Sequence, residues 1–216
     1  MSTAQPGPHP EQFFRRQDES ADPLFFVQPR LVVHIDDAAI AAAGDYFGEV
    51  LPRNGVLLDL MSSWRSHLPE GFPKRAMVGL GLNAVEMAEN PQLDSAVIHD
   101  LNANPSLPFA DASFDSAFVT VSVQYMVRPV EVFREVLRVL RPGGSFHVIY
   151  SNRMFPTKAV AIWQMMDDQQ RGELVRSYFK DSGRWEDLGV ASRGRHGSSS
   201  DPVYVVSARK PTTIGK

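Results

Sequence analysis

The sequence predicts an α/β protein of doubly wound design, a mostly parallel sheet with helices on both faces. Three observations carry that prediction. Short apolar runs recur along the middle of the chain: GVLLDL from Gly55, AMVGLGL from Ala76, SAVIHD from Ser95, FDSAFVTVSV from Phe114 and GSFHVIY from Gly144. They are continuous rather than alternating in apolar character, which suits strands buried on both faces. Between the last two runs, Pro129 to Arg141 places Val130, Phe133, Leu137 and Leu140 at helical spacing, making a strand-helix-strand unit that should cross over right-handedly.

Residues 1–22 begin MSTAQPGPHP, with three prolines in the first ten positions, and read as a flexible leader rather than a secretory signal. A single domain follows over residues 23–212. Its first part, 23–54, is a lid and helix: Phe25 to Val33 is apolar at mixed spacing, and Asp36 and Asp37 open a helix that reaches Tyr46 and Phe47. The core runs over 55–150, with a short helix from Asn83 to Glu89 before Pro91. Pro129 suits a first helical position, and Pro142, Gly143 and Gly144 end that helix. Over 151–212, Thr157 to Phe179 is helical with a break at Gly172, Ser192 to Asp201 is a mobile loop, and Pro202 to Ala208 alternates like an edge strand.

Composition narrows the function classes. In 216 residues, Lys plus Arg at 22 against Asp plus Glu at 25 gives a net charge of -3, with no general pull toward nucleic acid or acidic membrane. Without cysteine there is no thiolate nucleophile and no cysteine-ligated zinc, and no His, Asp and Glu clustering suggests another metal site. Nowhere are there the roughly 18 consecutive apolar residues of a membrane span. A cytoplasmic protein without a nucleic-acid or membrane partner is the expectation.

The stretch LPFADASFDSAFV, from Leu107 to Val119, and the helix end FREVLRVLRPGG, from Phe133 to Gly144, resemble the class I S-adenosylmethionine-dependent methyltransferases, in particular the small-molecule, type 11-like family. The likeness spans roughly Val56 to Tyr150. It implies a three-layer, Rossmann-like, seven-stranded sheet with an antiparallel last strand, S-adenosyl-L-methionine as cofactor and a small-molecule methyl acceptor. In an open α/β sheet, ligands settle beyond the carboxyl ends of the strands, so the candidate residues lie at the strand exits.

After the first strand the family pattern is an acid followed by alternating glycines. Here Asp59 is present, while Met61, Ser63 and Arg65 stand where glycines are expected. Either the hydroxyls and amides of Ser62 and Ser63 replace the glycine contacts, with Asp59 holding the loop or the cofactor's amino group, or Met61 and Trp64 fill the loop and close the site. The second-strand exit, Leu80, Gly81, Leu82 and Asn83, lacks the family's ribose-binding acid, leaving Asn83 as one acceptor and Glu86 nearby. On that reading, Gly81→Asp should leave cofactor affinity unchanged or improve it. Asp100 matches the position that accepts from the adenine amino group, with the Leu101 amide donating to the ring; the plain alternative is a turn-capping aspartate.

Val121 and Ser122, at the fourth exit, should lie under the cofactor, with Gln124 and Tyr125 facing the methyl group. Tyr125 either positions an acceptor or packs at the cleft rim. A base is optional in methyl transfer; His34 in the lid and His67 past the first loop are within reach of a cleft, while His147 reads as a hydrogen-bonded core histidine. His99 has no assignable partner. Tyr125 and His34 are the catalytic candidates. Asn152, Arg153, Phe155 and Trp163 either line an acceptor pocket or belong to a buried helix start. A catalytically silent methyltransferase-like binding or regulatory protein is the alternative, favoured by the missing glycines. A dinucleotide-dependent oxidoreductase ranks last, because no G-x-G-x-x-G follows the first strand.

Overall fold

A computed structural model describes residues 10–194 and 199–212. Seven strands, β1 (Val56–Leu60), β2 (Ala76–Gly81), β3 (Ser95–Ile98), β4 (Phe114–Thr120), β5 (Leu140–Tyr150), β6 (Glu186–Ser192) and β7 (Tyr204–Arg209), form one sheet in the order β3-β2-β1-β4-β5-β7-β6. Strands β1 to β5 pair in parallel, while β7 runs antiparallel to both β5 and β6. The doubly wound sheet with a reversed last strand is therefore present as expected.

Strand periodicity sorts the side chains into two cores. Leu58 and Leu60, Ala117 and Val119, and Phe146, Val148 and Tyr150 face one side. Leu57, Phe118 and Ile149 face the other. Such a period of two follows from the alternating Cβ directions of a strand. On the first face lies α4 (Pro129–Val139), which buries Val132, Phe133, Val136 and Val139. Phe133 stands edge-on to Phe146 and Phe179, with ring centroids 4.9 and 4.8 Å away. Covering the second face is α2 (Asp37–Val50), whose N-cap Asp36 accepts from the Ala39 amide and whose buried face is Ala39, Ala43, Tyr46 and Phe47.

Several expectations need correction. The helix α4 ends at Val139 and Leu140 already begins β5, so Pro142, Gly143 and Gly144 lie within the strand, where the register to β4 shifts. Gly172 breaks nothing: the separation falls between α5 (Ala161–Gln164) and α6 (Asp168–Ser182), where Asp167 and Gln170 form a reciprocal capping box. Inside α6 the missing side chain of Gly172 makes room for the Tyr150 hydroxyl, 2.9 Å from where a Cβ would sit.

The strand read as an edge, β7, is internal, and the actual edge is β6. β6 is almost wholly exposed and carries no apolar run, so pattern alone could not show it.

The described part of the leader is docked, not free. Beyond a 3-10 turn over Glu11–Phe14, the Asp18 amide donates to Thr157 O and the Ala161 amide to Arg15 O, both at 2.8 Å. Wholly buried Lys158 donates to the Ser20 carbonyl at 2.6 Å and lies 3.3 Å from buried Asp22, which also takes Arg16 at 2.5 Å. Burial of these charges is sustained by their pairing. Residues 1–9 of the expected leader, and 195–198 of the expected loop, lie outside the described residues. On either side of 195–198 the chain is tied down: Arg193 N donates to Val203 O, and Asp36 and Asp201 exchange backbone-to-carboxylate bonds. Among the described residues no helix is long and apolar enough to cross a membrane.

Candidate active site

The order of the sheet reverses between β1 and β4, and a cavity of about 290 Å³ opens there, beyond the carboxyl ends of β1 to β4. Residues from all four strand exits line it: Met61, Ser62 and Ser63 after β1; Leu80, Gly81, Leu82 and Asn83 around the end of β2; Asp100 and Leu101 after β3; Val121, Ser122 and Tyr125 after β4. Each of the two central strands is followed at once by a non-glycine residue in the left-handed region, Met61 at φ 56° and Val121 at φ 51°. For β-branched Val121 this backbone is costly, and such strain persists where the surrounding structure enforces it.

The glycine-free loop leaves the cavity open. Its Ser62 amide donates to Leu80 O at 2.9 Å, and the hydroxyls of Ser62 and Ser66 both donate to Asp59 Oδ2 at 2.6 Å. Asn90 donates to Ser63 O and to Ser66 Oγ, both at 2.9 Å. Trp64 turns its indole N–H to Val32 O at 2.9 Å instead of plugging the hollow. Of the two roles open to Asp59, the structure uses it to hold the loop: it is buried behind the wall and does not line the cavity. Burial pushes its carboxyl up to about 7, against the two serine hydroxyls that favour the charged form.

The absence of an acid at Gly81 has a steric cause. A Cβ there would stand 2.3 Å from the carbonyl oxygen of Ser62 and 3.1 Å from Met87 Sδ, because the β1 loop rides over the end of β2. A side chain at Gly81 thus meets backbone, which argues against the expectation that Gly81→Asp would leave cofactor affinity unchanged or improve it. Nor is Asn83 a free acceptor. Its Oδ1 caps α3 (Ala84–Ala88) by accepting from Val85 and Glu86 amides, and its Nδ2 donates to Phe26 O and Val27 O. The carboxylate at this end of the cavity belongs to Glu86, which accepts from Ser63 Oγ at 2.6 Å and from the Arg30 amide at 2.7 Å. Its signal in the sequence was its place in the first turn after an Asn cap.

Asp100 serves the turn with one oxygen: Oδ1 accepts from the amides of Asn102 and Ala103 at 2.9 and 3.2 Å, while Oδ2 makes no bond among the described residues. Tyr125 Oη accepts from the Phe155 amide at 2.8 Å, which leaves its own proton to donate. Burial raises the phenol above its ordinary value.

His34 sits at the rim, edge-on to Phe155 at 4.9 Å. Partial burial lowers the imidazole below its ordinary value, and the Glu86 carboxylate opposes that shift. His99 also lines the cavity, with Nε2 bonded to Asn104 O at 2.8 Å. His67 lies off the cavity, held near 4 by burial. His147 is the core histidine expected, bonded to Tyr46 Oη at 2.7 Å and Ser145 Oγ at 2.8 Å.

Of the segment after β5, Arg153 and Phe155 reach the cavity, Asn152 does not line it, and Trp163 is in the core. Sequence reasoning placed a lid over 23–54 but missed the Phe26 and Arg30 that it contributes to the cavity, and the Asp22 contributed by the expected leader. Their shared feature is an aromatic-rich stretch without periodicity, a pattern that does not specify what it covers. Among the described residues no group of three His, Cys, Asp or Glu is placed to hold a metal.

Comparison with known proteins agrees with this geometry. Residues 77–148 match the family described as "Methyltransferase domain". The chain is 35% identical over 65 residues to the biotin biosynthesis bifunctional protein BioHC of Teredinibacter turnerae, covering 29% of this chain and 11% of that protein. It is 31% identical over 85 residues to a demethylmenaquinone methyltransferase of Paenarthrobacter aurescens, covering 39% and 30%. The chain thus spans less than a third of the length of either relative. Among solved structures, it resembles the [4+2]-cyclase SpnF (TM-score 0.58, 17% identity, 87% of this chain and 90% of that one). It also resembles an S-adenosylmethionine-dependent methyltransferase from Mesorhizobium loti (TM-score 0.55, 18% identity, 81% and 99%). At these identities the structures speak for the fold, which hosts more than one chemistry.

Proposed function

We propose, from the premise that this chain belongs to the class I S-adenosylmethionine-dependent methyltransferases, that it transfers a methyl group to a small-molecule acceptor in the cavity at the β1–β4 switch point. One observation carries the proposal: despite side chains where glycines are usual, the loop after β1 is tied back by Asp59, Asn90 and Glu86, and the hollow beside it stays open. When bound, S-adenosylmethionine supplies an electrophilic methyl group on a sulfonium, so the chain has only to bind, align and exclude water.

The residues fit those tasks. Asp100 Oδ2 would accept from the adenine amino group and the Leu101 amide would donate to the ring. Glu86 takes the place of the missing second-strand acid, since each carboxylate oxygen keeps a lone pair beyond its present partner. Phe26, Tyr125 and Phe155, with ring centroids 6.1 to 6.4 Å apart, wall the acceptor side and keep water from it. The Tyr125 hydroxyl proton orients the acceptor. A ring nitrogen of His34 receives the acceptor's proton where one must leave; held below its ordinary value, the imidazole is neutral at pH 7 and able to accept. The apolar, roofed cavity supports an acceptor of small size.

Calorimetric titration with S-adenosylmethionine and S-adenosylhomocysteine tests the proposal. Saturable binding of both, with NADPH silent, is expected; silence toward both would leave only the fold.

A further inference from the structure

The cavity wall also holds a charged side chain that the methyl-transfer roles leave unused. Arg30 lines the cavity, and no carboxylate lies within ion-pair distance of its guanidinium among the described residues. Its Nη2 donates to Phe25 O at 3.0 Å, whereas Nη1 is buried with no hydrogen-bond partner. The head group is held in a cage of rings, 4.8 Å from the centroid of Phe25, 5.4 Å from Phe155 and 5.8 Å from Phe26. Ring faces attract the cation but supply no lone pair to accept an N–H bond. A buried, unpartnered donor on a full charge is costly, and an ionised oxygen acceptor repays that cost best.

The arrangement is held in place. The Arg30 amide is bonded to Glu86, the carbonyls of Phe26 and Val27 take the Asn83 amide, and Val32 O takes Trp64. Glu86 is thus engaged through the backbone of Arg30, not through its side chain. The other cavity arginine, Arg153, already has Asp201 at 2.8 Å. Among the described residues Arg30 is thus the cavity arginine without an anion, and its head group lies beside Phe155, whose ring neighbours Tyr125.

We infer that Arg30 is the anion-recognition residue of the acceptor subsite, and that the acceptor is a small aromatic acid whose carboxylate pairs with the guanidinium while its ring packs against the wall formed by Phe26 and Phe155. This rests on the methyl-transfer reading of the cavity. The shared chemistry is a carboxylate, and one other source exists, the α-carboxylate of the cofactor itself.

The experiment separates these. With the protein saturated in S-adenosylhomocysteine, calorimetry measures benzoate, phenylacetate and trans-cinnamate, each against its primary amide. At least one acid should bind tenfold or more tighter than its amide, and Arg30→Met should abolish the difference, since a hydrogen bond to a charged group accounts for roughly ten- to hundredfold. Arg30→Lys should keep part of it, losing the fork geometry but not the charge. Acids that bind no tighter than amides, or that do not bind, overturn the inference without touching the methyltransferase reading. Arg30→Met weakening S-adenosylhomocysteine but not 5′-methylthioadenosine, which lacks the amino-acid arm, would assign the guanidinium to the cofactor and also overturn it. Failure of S-adenosylhomocysteine to bind sinks the function proposal, and the acid-to-amide comparison on the free protein then reads the anion site alone. Because that comparison uses the unaltered chain, it decides the matter even if the methionine variant does not fold.

Discussion

Gly81 offers the sharpest test of how the cavity is built. Replacing it by Ala places a Cβ 2.3 Å from Ser62 O, where ordinary contact begins at 3.4 Å, so about 1 Å of separation must be found. The obstacle is backbone, not the end of a flexible side chain. Ser62 cannot withdraw alone, because its amide is bonded to Leu80 and its hydroxyl to Asp59, while the Ser63 carbonyl is held by Asn90.

Overpacking of this kind costs about 1–3 kcal/mol, and breaking one or two loop hydrogen bonds adds about 1 kcal/mol each. A total of about 2–5 kcal/mol lowers the melting temperature of a chain this size by roughly 4–20 °C. Since the displaced loop is also the cavity wall, S-adenosylhomocysteine affinity should fall at least tenfold. Scanning fluorimetry and calorimetry on Gly81→Ala and Gly81→Asp read the two effects. Wild-type melting and wild-type affinity in both variants would refute the crossing of the β1 loop over β2.

Three further outcomes follow from the same structure. Asp100→Asn retains a carbonyl for the Asn102 turn but loses the second acceptor oxygen, so cofactor affinity should drop roughly ten- to hundredfold with little change in melting temperature; equal affinity removes the residue from the adenine site. Asp59 has its carboxyl raised to about 7, so between its unfolded value near 4 and 7 the folded state binds more protons and stability falls as pH rises. Asp59→Asn should flatten that slope, at most about 1.4 kcal/mol per pH unit, in denaturant titrations across pH 4 to 7. Phe133→Ala, at a wholly buried site beside Phe146 and Phe179, should cost about 3–5 kcal/mol in urea unfolding without altering binding at the cavity, which it does not line.

Much of the site was legible before the structure because strand exits are local objects. An apolar run ends, a turn begins, and the doubly wound pattern says that ligands gather there. Met61 to Ser63, Leu80 to Asn83, Asp100, Leu101, Val121, Ser122 and Tyr125 were found in this way, and all line the cavity. Asp59 was expected at the site with two roles open that sequence could not separate, and it stands behind the wall, holding Ser62 and Ser66. Glu86 was noticed only as a neighbour, since its service depends on where Ser63 and Arg30 arrive from distant parts of the chain. Arg30 itself, in an aperiodic stretch, had no pattern to mark it.

Local chemistry alone was enough for the kind of fold and the order of its middle elements: continuous apolar strands demand cover on both faces, and Pro129 and Asp36 start helices whatever lies elsewhere. Contacts between remote segments settled the rest. Whether a loop without glycine leaves a hollow depends on bonds from Asn90 and Glu86; why β2 ends in Gly81 depends on a carbonyl nearly twenty residues earlier; and the roof depends on the first described residues docking against Lys158. Those are matters of which surfaces meet, and they exist only once the chain has closed on itself.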